Sequence, residues 1–253
     1  MVMKDRIALV TGASRGIGAA TAEMLASRGA VVAAAARTVP DLEQLVARIK
    51  ENGGQALAVP CDLVQSEQVD SMISRVVTEC GRLDILINNA GMGTPLVPVE
   101  DISPDVWDDI LAINLKSAFL CIRAAAPIMK RQGYGRIVNV SSFAGRNYSP
   151  YLGSPYSAAK AGLLGFTRHM AAELGPYGIC VNAVAPTLVM TKRAKAVWDS
   201  HTEEKRQAII SGIPLRRLAK IEEVASAIAF LASDDASFVN GVCLDVNGGS
   251  YMA

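Results

Sequence analysis

Residues 11–18 read Thr11-Gly12-Ala13-Ser14-Arg15-Gly16-Ile17-Gly18 and join an apolar run at 7–11 to a helical pattern at 17–28. Such a loop needs glycine for a tight turn, for close approach of the backbone to a diphosphate, and for packing of the helix on the strand. Free N–H groups at the start of the helix can then bind phosphate oxygens. The spacing is G-x-x-x-G-x-G, without the Lys-Ser or Lys-Thr pair of an NTPase phosphate loop. The stretch predicts a dinucleotide-binding α/β fold, with a purely structural turn as the alternative.

Short β-branched runs alternate with helix-length amphipathic segments along the rest of the chain. Strands are predicted at 7–11, 31–35, 56–59, 85–87, 136–140, 179–184 and 242–246, and helices at 17–28, 41–52, 66–80, 106–131 and 156–174. Strands that are apolar throughout are buried on both faces, and their alternation with helices predicts right-handed crossovers. We therefore expect a three-layer, doubly wound, Rossmann-like α/β fold with a parallel seven-stranded sheet. Since no linker or repeat divides residues 1–253, a single domain is expected.

The composition excludes several classes of protein. Apolar residues make up 51% and charged residues 19%, which excludes intrinsic disorder. The net charge of +1 gives no overall attraction to nucleic acid, and no run reaches the roughly 20 apolar residues of a membrane-spanning helix. Five scattered cysteines without a C-x-x-C pair predict reduced thiols in a cytoplasmic protein. With two histidines, no metal site is expected.

Two arginines indicate which dinucleotide the loop would take. Arg37 follows the second strand, where a carboxylate would bind the ribose hydroxyls of NAD. Arg37 and Arg15 could instead bind a 2′-phosphate through charge-assisted hydrogen bonds. A solvated surface arginine is the alternative for each, but together with the missing acid they predict NADP(H). Asp62 follows the third strand and could contact the adenine or cap a turn.

Tyr156 and Lys160 are four residues apart and share one face of a predicted helix. A tyrosine with a pKa of about 10 is a poor acid or base at neutral pH, but a nearby ammonium favours the phenolate and lowers that pKa. Ser142 follows the fifth strand, so its hydroxyl could hold a substrate oxygen at the same edge of the sheet. Taken alone, Tyr156 and Lys160 could equally be an ordinary surface pair.

The order of the motifs resembles the single-domain branch of the short-chain dehydrogenase/reductase family over essentially the whole chain. That order is the glycine loop, Asn88-Asn89-Ala90-Gly91, Asn114, Ser142, Tyr156-x-x-x-Lys160, Asn182-Ala183-Val184-Ala185-Pro186 and Asp245-Val246-Asn247-Gly248-Gly249. The resemblance implies an NADP(H)-dependent oxidoreductase that transfers a hydride between nicotinamide and a ketone or secondary alcohol. Within the family, the chain is similar to the 3-oxoacyl-carrier-protein reductases, which makes 3-oxoacyl thioester reduction a candidate activity.

The resemblance also implies a role for each matching residue. Tyr156 would exchange a proton with the substrate oxygen, Lys160 would hold the nicotinamide ribose and lower the Tyr156 pKa, and Ser142 would orient the substrate oxygen. Asn114 would kink its helix and hold a water that relays protons to Lys160. The expected cofactor contacts are Gly12, Ser14, Arg15, Gly16, Ile17, Gly18, Arg37, Asp62, Leu63, Asn89, Ala90, Gly91, Tyr156, Lys160, Pro186, Val189 and Thr191.

Two positions depart from the family pattern. Thr187 replaces the glycine that usually follows the proline at the end of the sixth strand. The stretch 143–155 is one residue longer than the commonest spacing, so Ser141 and Ser142 are both candidates for the active serine. The family motif favours Ser142, the second of the pair.

Residues 187–214, here called the lid segment, interrupt the alternation with polar sequence and weak helical periodicity around 194–199 and 203–210. A substrate lid is expected there. Within it, Trp198 could line the substrate pocket, and His201 is expected to be a solvated surface residue.

Other readings of the whole chain stay open. The chain could be an NAD-dependent sugar or small-alcohol dehydrogenase of the same family, or a catalytically silent dinucleotide sensor or scaffold. The resemblance further implies a homotetramer that associates through 106–131, 156–174 and the C-terminal end.

Overall fold

Seven parallel strands form one sheet in a computed structural model. The structure describes residues 2–252, apart from the side chains at positions 193, 196 and 197. The strands are β1 (Ile7–Thr11), β2 (Val31–Ala36), β3 (Gln55–Pro60), β4 (Ile85–Asn88), β5 (Gly135–Val140), β6 (Ile179–Pro186) and β7 (Cys243–Val246). The helices are α1 (Gly16–Ser27), α2 (Val39–Glu51), α3 (Ser66–Cys80), α4 (Pro104–Leu111), α5 (Ser117–Gln132), α6 (Ser154–Leu174), α7 (Lys192–Asp199), α8 (Glu203–Ser211) and α9 (Ile221–Leu231).

Helices cover both faces of the sheet because alternate side chains of each strand point to opposite sides. On one face, Ala8 and Val10 of β1 belong to a core formed with α1, α2 and α9. On the other face, Ile7 and Leu9 belong to a core formed with α3, α5 and α6. The predicted three-layer, doubly wound, Rossmann-like fold is confirmed.

The strand order is β3-β2-β1-β4-β5-β6-β7, so the direction of winding reverses between β1 and β4. In open α/β sheets, ligands bind beyond the carboxyl ends of the strands at such a reversal. The loops that follow β1, β4, β5 and β6 meet at this edge, and these loops carry most of the predicted site residues.

The long helix predicted at 106–131 is interrupted in the structure. A π-helical turn, Ala112–Lys116, separates α4 from α5. The side-chain amide of Asn114 donates to the carbonyl oxygens of Ile110 and Met92, at 2.9 and 2.8 Å. A side chain that inserts into the backbone ladder is a common cause of such a bulge, and the kink expected at Asn114 therefore takes this form.

Helix α9 is absent from the sequence prediction, although it carries the crossover from β6 to β7. At its start the Glu223 carboxylate accepts from the Lys220 backbone N–H at 2.8 Å. The weak periodicity inside the lid segment, by contrast, correctly indicates helices, since α7 and α8 lie there.

By length and composition alone, the stretch Pro104–Gln132 could cross a membrane, with a mean hydropathy of 1.4 in its most apolar window. In the fold, 44% of that window is buried. Leu120, Cys121 and Met129 of α5 pack in the core under the sheet. The stretch thus has the position of a core helix. Buried core helices can be as long and as apolar as membrane-spanning helices.

Candidate active site

A cleft of about 860 Å³ opens at the carboxyl edge of the sheet. Its polar part includes Asn89, Ser142, Tyr156 and Lys160. The rest of its wall is mainly apolar and comes from three loops and the lid segment: Met92, Pro95, Phe143, Tyr151, Leu152, Leu188, Met190, Trp198, Ile209, Ile213 and Leu218. A small reactive polar centre inside an apolar wall is typical of a site for an organic small molecule.

Tyr156 and Lys160 lie on the first two turns of α6, as the spacing of four predicts. The Lys160 ammonium is 3% exposed and donates to the Val140 carbonyl at the end of β5, at 2.8 Å. It lies 5.7 Å from the centre of the Tyr156 ring. The helix therefore holds both side chains over the end of the sheet.

Burial controls the protonation of both groups. It lowers the pKa of Lys160 from 10.5 to about 8, because the ammonium loses its hydration. Burial also raises the pKa of Tyr156 above its ordinary value, and the nearby Ser142 hydroxyl acts in the opposite direction. The direction for Tyr156 differs from the expected lowering by Lys160, because desolvation of the phenolate is the larger effect.

The two candidate serines have different surroundings. The Ser141 hydroxyl is buried and donates to the carbonyl oxygen of Lys160 at 3.0 Å. The Ser142 hydroxyl accepts from the Ala144 backbone N–H at 3.2 Å and lies near enough to the Tyr156 hydroxyl to lower the pKa of that tyrosine. Ser141 thus joins β5 to α6, and Ser142 faces the tyrosine.

Asn114 lies behind the cleft and reaches it through Gly91. Its side-chain oxygen accepts from the Met92 backbone N–H at 3.1 Å, and the side chain is 1% exposed. A Cβ on Gly91 would lie 2.7 Å from that oxygen and 3.3 Å from the Lys160 nitrogen. Only glycine at this position leaves room between Asn114 and Lys160.

The glycine loop is tied to the end of β4 by the side chain of Asn89, a residue predicted to contact the cofactor. Asn89 donates to the carbonyl oxygens of Thr11 and Gly12, at 2.9 and 3.1 Å. Gly12 has φ of +62°, and a Cβ there would lie 2.8 Å from the Cα of Ala90. A Cβ on Gly18 would overlap the Asn89 amide. The loop can therefore lie against β4 only with glycine at both positions.

The start of α1 suits an anion. Arg15 precedes the helix without a capping side-chain hydrogen bond, and the first turn holds no acidic residue. The first backbone N–H groups of α1 therefore remain free to donate. Together with the positive end of the helix dipole, they can bind phosphate oxygens. This cradle, together with the space left by Gly91, fits a nicotinamide dinucleotide.

Other predicted cofactor residues surround this cradle. Arg15 and Arg37 are exposed and form no ion pair with the described residues. Asp62 is partly exposed after β3, and Leu63 beside it is buried. Ser14 lies half-buried in the loop.

The start of α1, the end of β6 and the residues directly after β6 form one side of the cleft. Ile17, Pro186, Val189 and Thr191 all line it. The Thr191 hydroxyl caps α7 by accepting from the Ala194 N–H at 3.1 Å. A Cβ on Gly16 would lie 3.3 Å from the Thr191 methyl, so the lid segment starts in contact with the glycine loop.

Of the predicted site residues, nine line this cleft: Ile17, Asn89, Gly91, Ser142, Tyr156, Lys160, Pro186, Val189 and Thr191. The others lie around it, on the glycine loop, after β2 and β3, and behind Gly91. Trp198 and His201 both line it as well. His201 is partly buried there and not on the open surface. Tyr151 and Leu152 were missed, since no motif marks an apolar wall.

Among the described residues, no group of three or more His, Cys, Asp or Glu side chains could hold a metal ion.

Comparisons with known proteins agree with this geometry. A family model described as Enoyl-(Acyl carrier protein) reductase matches residues 12–251. The 3-oxoacyl-[acyl-carrier-protein] reductase FabG of Staphylococcus aureus is 40% identical over 246 residues, which are 97% of this chain and 98% of that protein.

Two solved structures are similar over nearly their full length. Levodione reductase has a TM-score of 0.92 and 33% identity, covering 98% of both chains. A 3-oxoacyl-[acyl-carrier protein] reductase from Brucella melitensis with bound NAD has a TM-score of 0.89 and 36% identity, covering 99% of this chain and 92% of that one. Since these matches span the fold and the cleft together, the chain belongs to the short-chain dehydrogenase/reductase family and is an oxidoreductase that acts on alcohol or ketone groups with a nicotinamide dinucleotide.

Proposed function

We propose that this protein reduces 3-oxoacyl thioesters to 3-hydroxyacyl thioesters with NADPH. The observation that carries the proposal is the meeting of Ser142, Tyr156 and the buried Lys160 in one cleft with mainly apolar walls. The polar centre suits the carbonyl to be reduced, and the apolar wall suits an acyl chain. The name of the Staphylococcus aureus relative supports the same substrate class.

Three side chains perform the proton chemistry in this proposal. Ser142 donates a hydrogen bond to the carbonyl oxygen and stabilises the negative charge that develops on it. Tyr156 donates its phenolic proton to that oxygen as the alcohol forms. The Lys160 ammonium, held at the Val140 carbonyl, favours the resulting phenolate. When bound, the reduced nicotinamide supplies the hydride that converts the carbonyl carbon to the alcohol carbon.

Asn114 takes part as the support of a proton relay. Its amide lies behind Gly91, close to the Lys160 ammonium, and its oxygen accepts from Met92. A water held there would return a proton to Lys160 and then to Tyr156. The enclosed position of the ammonium supports such a relay, because Lys160 has little direct contact with solvent.

The cofactor would be held along the whole carboxyl edge. Its diphosphate would lie at Gly12, Ser14, Gly16, Ile17 and Gly18, where α1 begins. Asp62 and Leu63 would contact the adenine, and the stretch 89–91 would line the adenosine side. Lys160 and Tyr156 would hold the nicotinamide ribose, and Pro186, Val189 and Thr191 would orient the carboxamide.

NADP(H) is the proposed form because Arg15 and Arg37 are exposed beside this path with no ion pair among the described residues. Each can therefore turn to a 2′-phosphate without losing a partner. The NAD of the Brucella melitensis structure favours the second candidate, an NAD-dependent dehydrogenase of the same family.

Residues 1–253 act as one domain in this proposal, with 187–214 as a substrate lid. Within that segment, α8 is joined to the end of α7, since Arg206 donates to the carbonyl oxygens of Trp198 and Asp199, at 3.1 and 2.9 Å. Two helices that are joined in this way can move together over the cleft.

The protein would work in the cytoplasm as a homotetramer. The exposed Phe119 on α5 and the exposed Val242 and Leu244 at the sheet edge offer apolar contacts for it.

The test is a substrate panel followed by the absorbance of the reduced cofactor, with NADPH or NADH in the reducing direction and NADP⁺ or NAD⁺ in the oxidising direction. It should contain a 3-oxoacyl thioester, a simple ketone of the same chain length, a cyclic ketone and a sugar. The proposal expects the highest kcat/KM for the thioester with NADPH. A higher kcat/KM for sugar oxidation with NAD would establish the second candidate instead.

A further inference from the structure

The end of the chain lies close to the active serine. Residues 243–251, here called the tail segment, start with β7 and end in a turn held by Asn247. The Asn247 side chain accepts from the Gly249 N–H at 2.9 Å and donates to the Tyr251 carbonyl at 3.1 Å. Ser250 in this turn lines the cleft. The tail segment is therefore a built part of the site wall.

The tail segment also contacts the end of the lid segment, at Ile213, and the residue directly after that segment, Leu215. The Leu215 N–H donates to the Gly248 carbonyl at 3.1 Å. Gly248 has φ of +63°, and a Cβ on it would lie 2.8 Å from the Ile213 side chain. Residues 213–215 therefore pack directly against the tail segment.

On its other side, the tail segment is joined to the turn that carries the active serine. This serine turn, residues 142–146, ends with Arg146, which donates to the Asp245 carboxylate at 3.0 Å. The Arg146 guanidinium lies 4.8 Å from the centre of the Tyr251 ring. The two charged side chains are 19% and 20% exposed, so the pair is mostly shielded from water.

The pair makes only half of the contact that its geometry allows. Arg146 uses Nη2 and Asp245 uses Oδ2. Among the described residues, Arg146 Nε and Asp245 Oδ1 are enclosed and have no hydrogen-bond partner. These are the two atoms that would make the second, parallel bond of a bidentate pair. A small approach of the serine turn to β7 would satisfy both.

We propose that Arg146 is a positioning residue that couples the lid segment to Ser142 through the tail segment. When the lid segment closes over substrate, 213–215 press on Gly248, β7 shifts towards the serine turn, and the Arg146–Asp245 pair becomes bidentate. Ser142 is then held at the orientation it needs towards Tyr156. The proposal rests on the reductase function, because it needs a substrate under the lid segment.

The kinetic test uses Arg146→Met, which keeps the apolar stem, and Arg146→Lys, which keeps the charge. Arg146→Met should lower kcat about 10–100-fold with KM and the Kd for NADPH within about twofold, because orientation is lost and binding is not. Arg146→Lys should recover part of the loss. Asp245→Asn should match Arg146→Met, and the double variant should be no worse than either.

The matched control is Arg48→Met. Arg48 forms a 2.9 Å ion pair with Glu23 that also joins two helices, but away from the cleft. The Arg48→Met variant should leave kcat unchanged. Losses that add in the Arg146/Asp245 double variant, or an unchanged kcat in Arg146→Met, would overturn the proposal.

Hydrogen exchange of the cofactor-free protein gives a readout that needs no substrate. Arg146→Met should speed amide exchange in both 142–147 and 213–216, and Arg48→Met should change neither. Faster exchange at 142–147 alone would contradict the coupling to the lid segment. Since the exchange does not depend on turnover, a failure of the 3-oxoacyl assignment would be distinguished from a failure of this proposal.

Discussion

Lys160 is the residue whose surroundings change its chemistry most clearly. Its ammonium is enclosed at the end of β5 and has one hydrogen bond among the described residues, to the Val140 carbonyl. Loss of hydration then lowers its pKa to about 8. A lysine that titrates near neutral pH can exchange protons during turnover, whereas an exposed lysine stays charged.

The first prediction follows from this pKa. Below about pH 8 both the folded and the unfolded state bind the proton, and burial of the ammonium costs its full free energy. Between pH 8 and 10.5 only the unfolded state keeps the proton, so the contribution of Lys160 to stability rises with pH, by about 3 kcal/mol in total. The difference in unfolding free energy between wild type and Lys160→Met should rise by that amount.

Urea unfolding of both proteins across this pH range is the measurement. The comparison cancels the titration of the cysteines and of the tyrosines away from Lys160, which both proteins share. A difference that does not change with pH would show that Lys160 is not titrating near pH 8 in the folded protein.

The two serines give the second prediction. Ser142→Ala should lower kcat about 10²–10³-fold with little change in stability, since the lost hydroxyl stabilises charge on the substrate oxygen. Ser141→Ala should leave kcat nearly unchanged and cost about 0.5–1.5 kcal/mol of stability, because the hydrogen bond to the Lys160 carbonyl is lost while that carbonyl keeps its partner within α6. The paired measurement is kcat and thermal unfolding for each variant. The opposite pattern would make Ser141 the active serine.

At the scale of single elements, the end of β2 and the start of α1 together determine the preferred dinucleotide. Arg37 follows β2, and Arg15 directly precedes α1. Arg37→Ala should lower the ratio of kcat/KM for NADPH to that for NADH about 10–100-fold, since a charge-assisted bond to the 2′-phosphate is lost. Arg48→Ala on α2 is the control and should leave the ratio unchanged. If wild type prefers NADH, the argument from these two arginines fails.

Most elements were predictable because their local patterns agree with the fold. Strands such as β1 and β2 are apolar throughout and buried on both sides, and α3 lies where the sequence predicts it, at Ser66–Cys80. The π-helical turn was not predictable from periodicity, because it depends on Asn114 reaching Met92 on another loop. Helix α9 was not predicted, because its N-cap is Lys220 and none of the usual capping residues marks its start.

The site was predictable where a motif carries a fixed spacing. Tyr156 and Lys160 are one helical turn apart, so α6 alone brings them together. The Arg146–Asp245 pair joins residues 99 positions apart, and no spacing rule connects them. The direction of the Tyr156 pKa was also out of reach, since it depends on how deeply the fold buries the ring.

At the scale of the whole molecule, apolar surface remains uncovered at the β7 end of the sheet and on α5. Val242 and Leu244 are 40% and 37% exposed, and Phe238 nearby is fully exposed. Phe119 on α5 is 44% exposed and contacts Phe166 of α6 edge to face. Exposed apolar residues that cluster on a strand edge and a helix pair are typical of subunit contacts.

The proposed homotetramer gives the prediction at this scale. Sedimentation should give about four times the chain mass of 26.7 kDa. Phe119→Glu should shift the protein to smaller species, because a carboxylate would be buried without a partner at the contact. Val39→Glu, on the exposed start of α2, should leave the tetramer intact. A wild type that sediments as a monomer would remove this prediction.

The central claim is that Tyr156 transfers the proton to the substrate oxygen, and that binding of the cofactor does not depend on the Tyr156 hydroxyl. The most direct measurement compares wild type with Tyr156→Phe for kcat with a 3-oxoacyl thioester and for the Kd of NADPH by fluorescence. The account predicts a loss in kcat of about 10²–10⁴-fold with the Kd within about twofold, because the ring is kept and only the acidic hydroxyl is removed. Substantial residual turnover in Tyr156→Phe would contradict it.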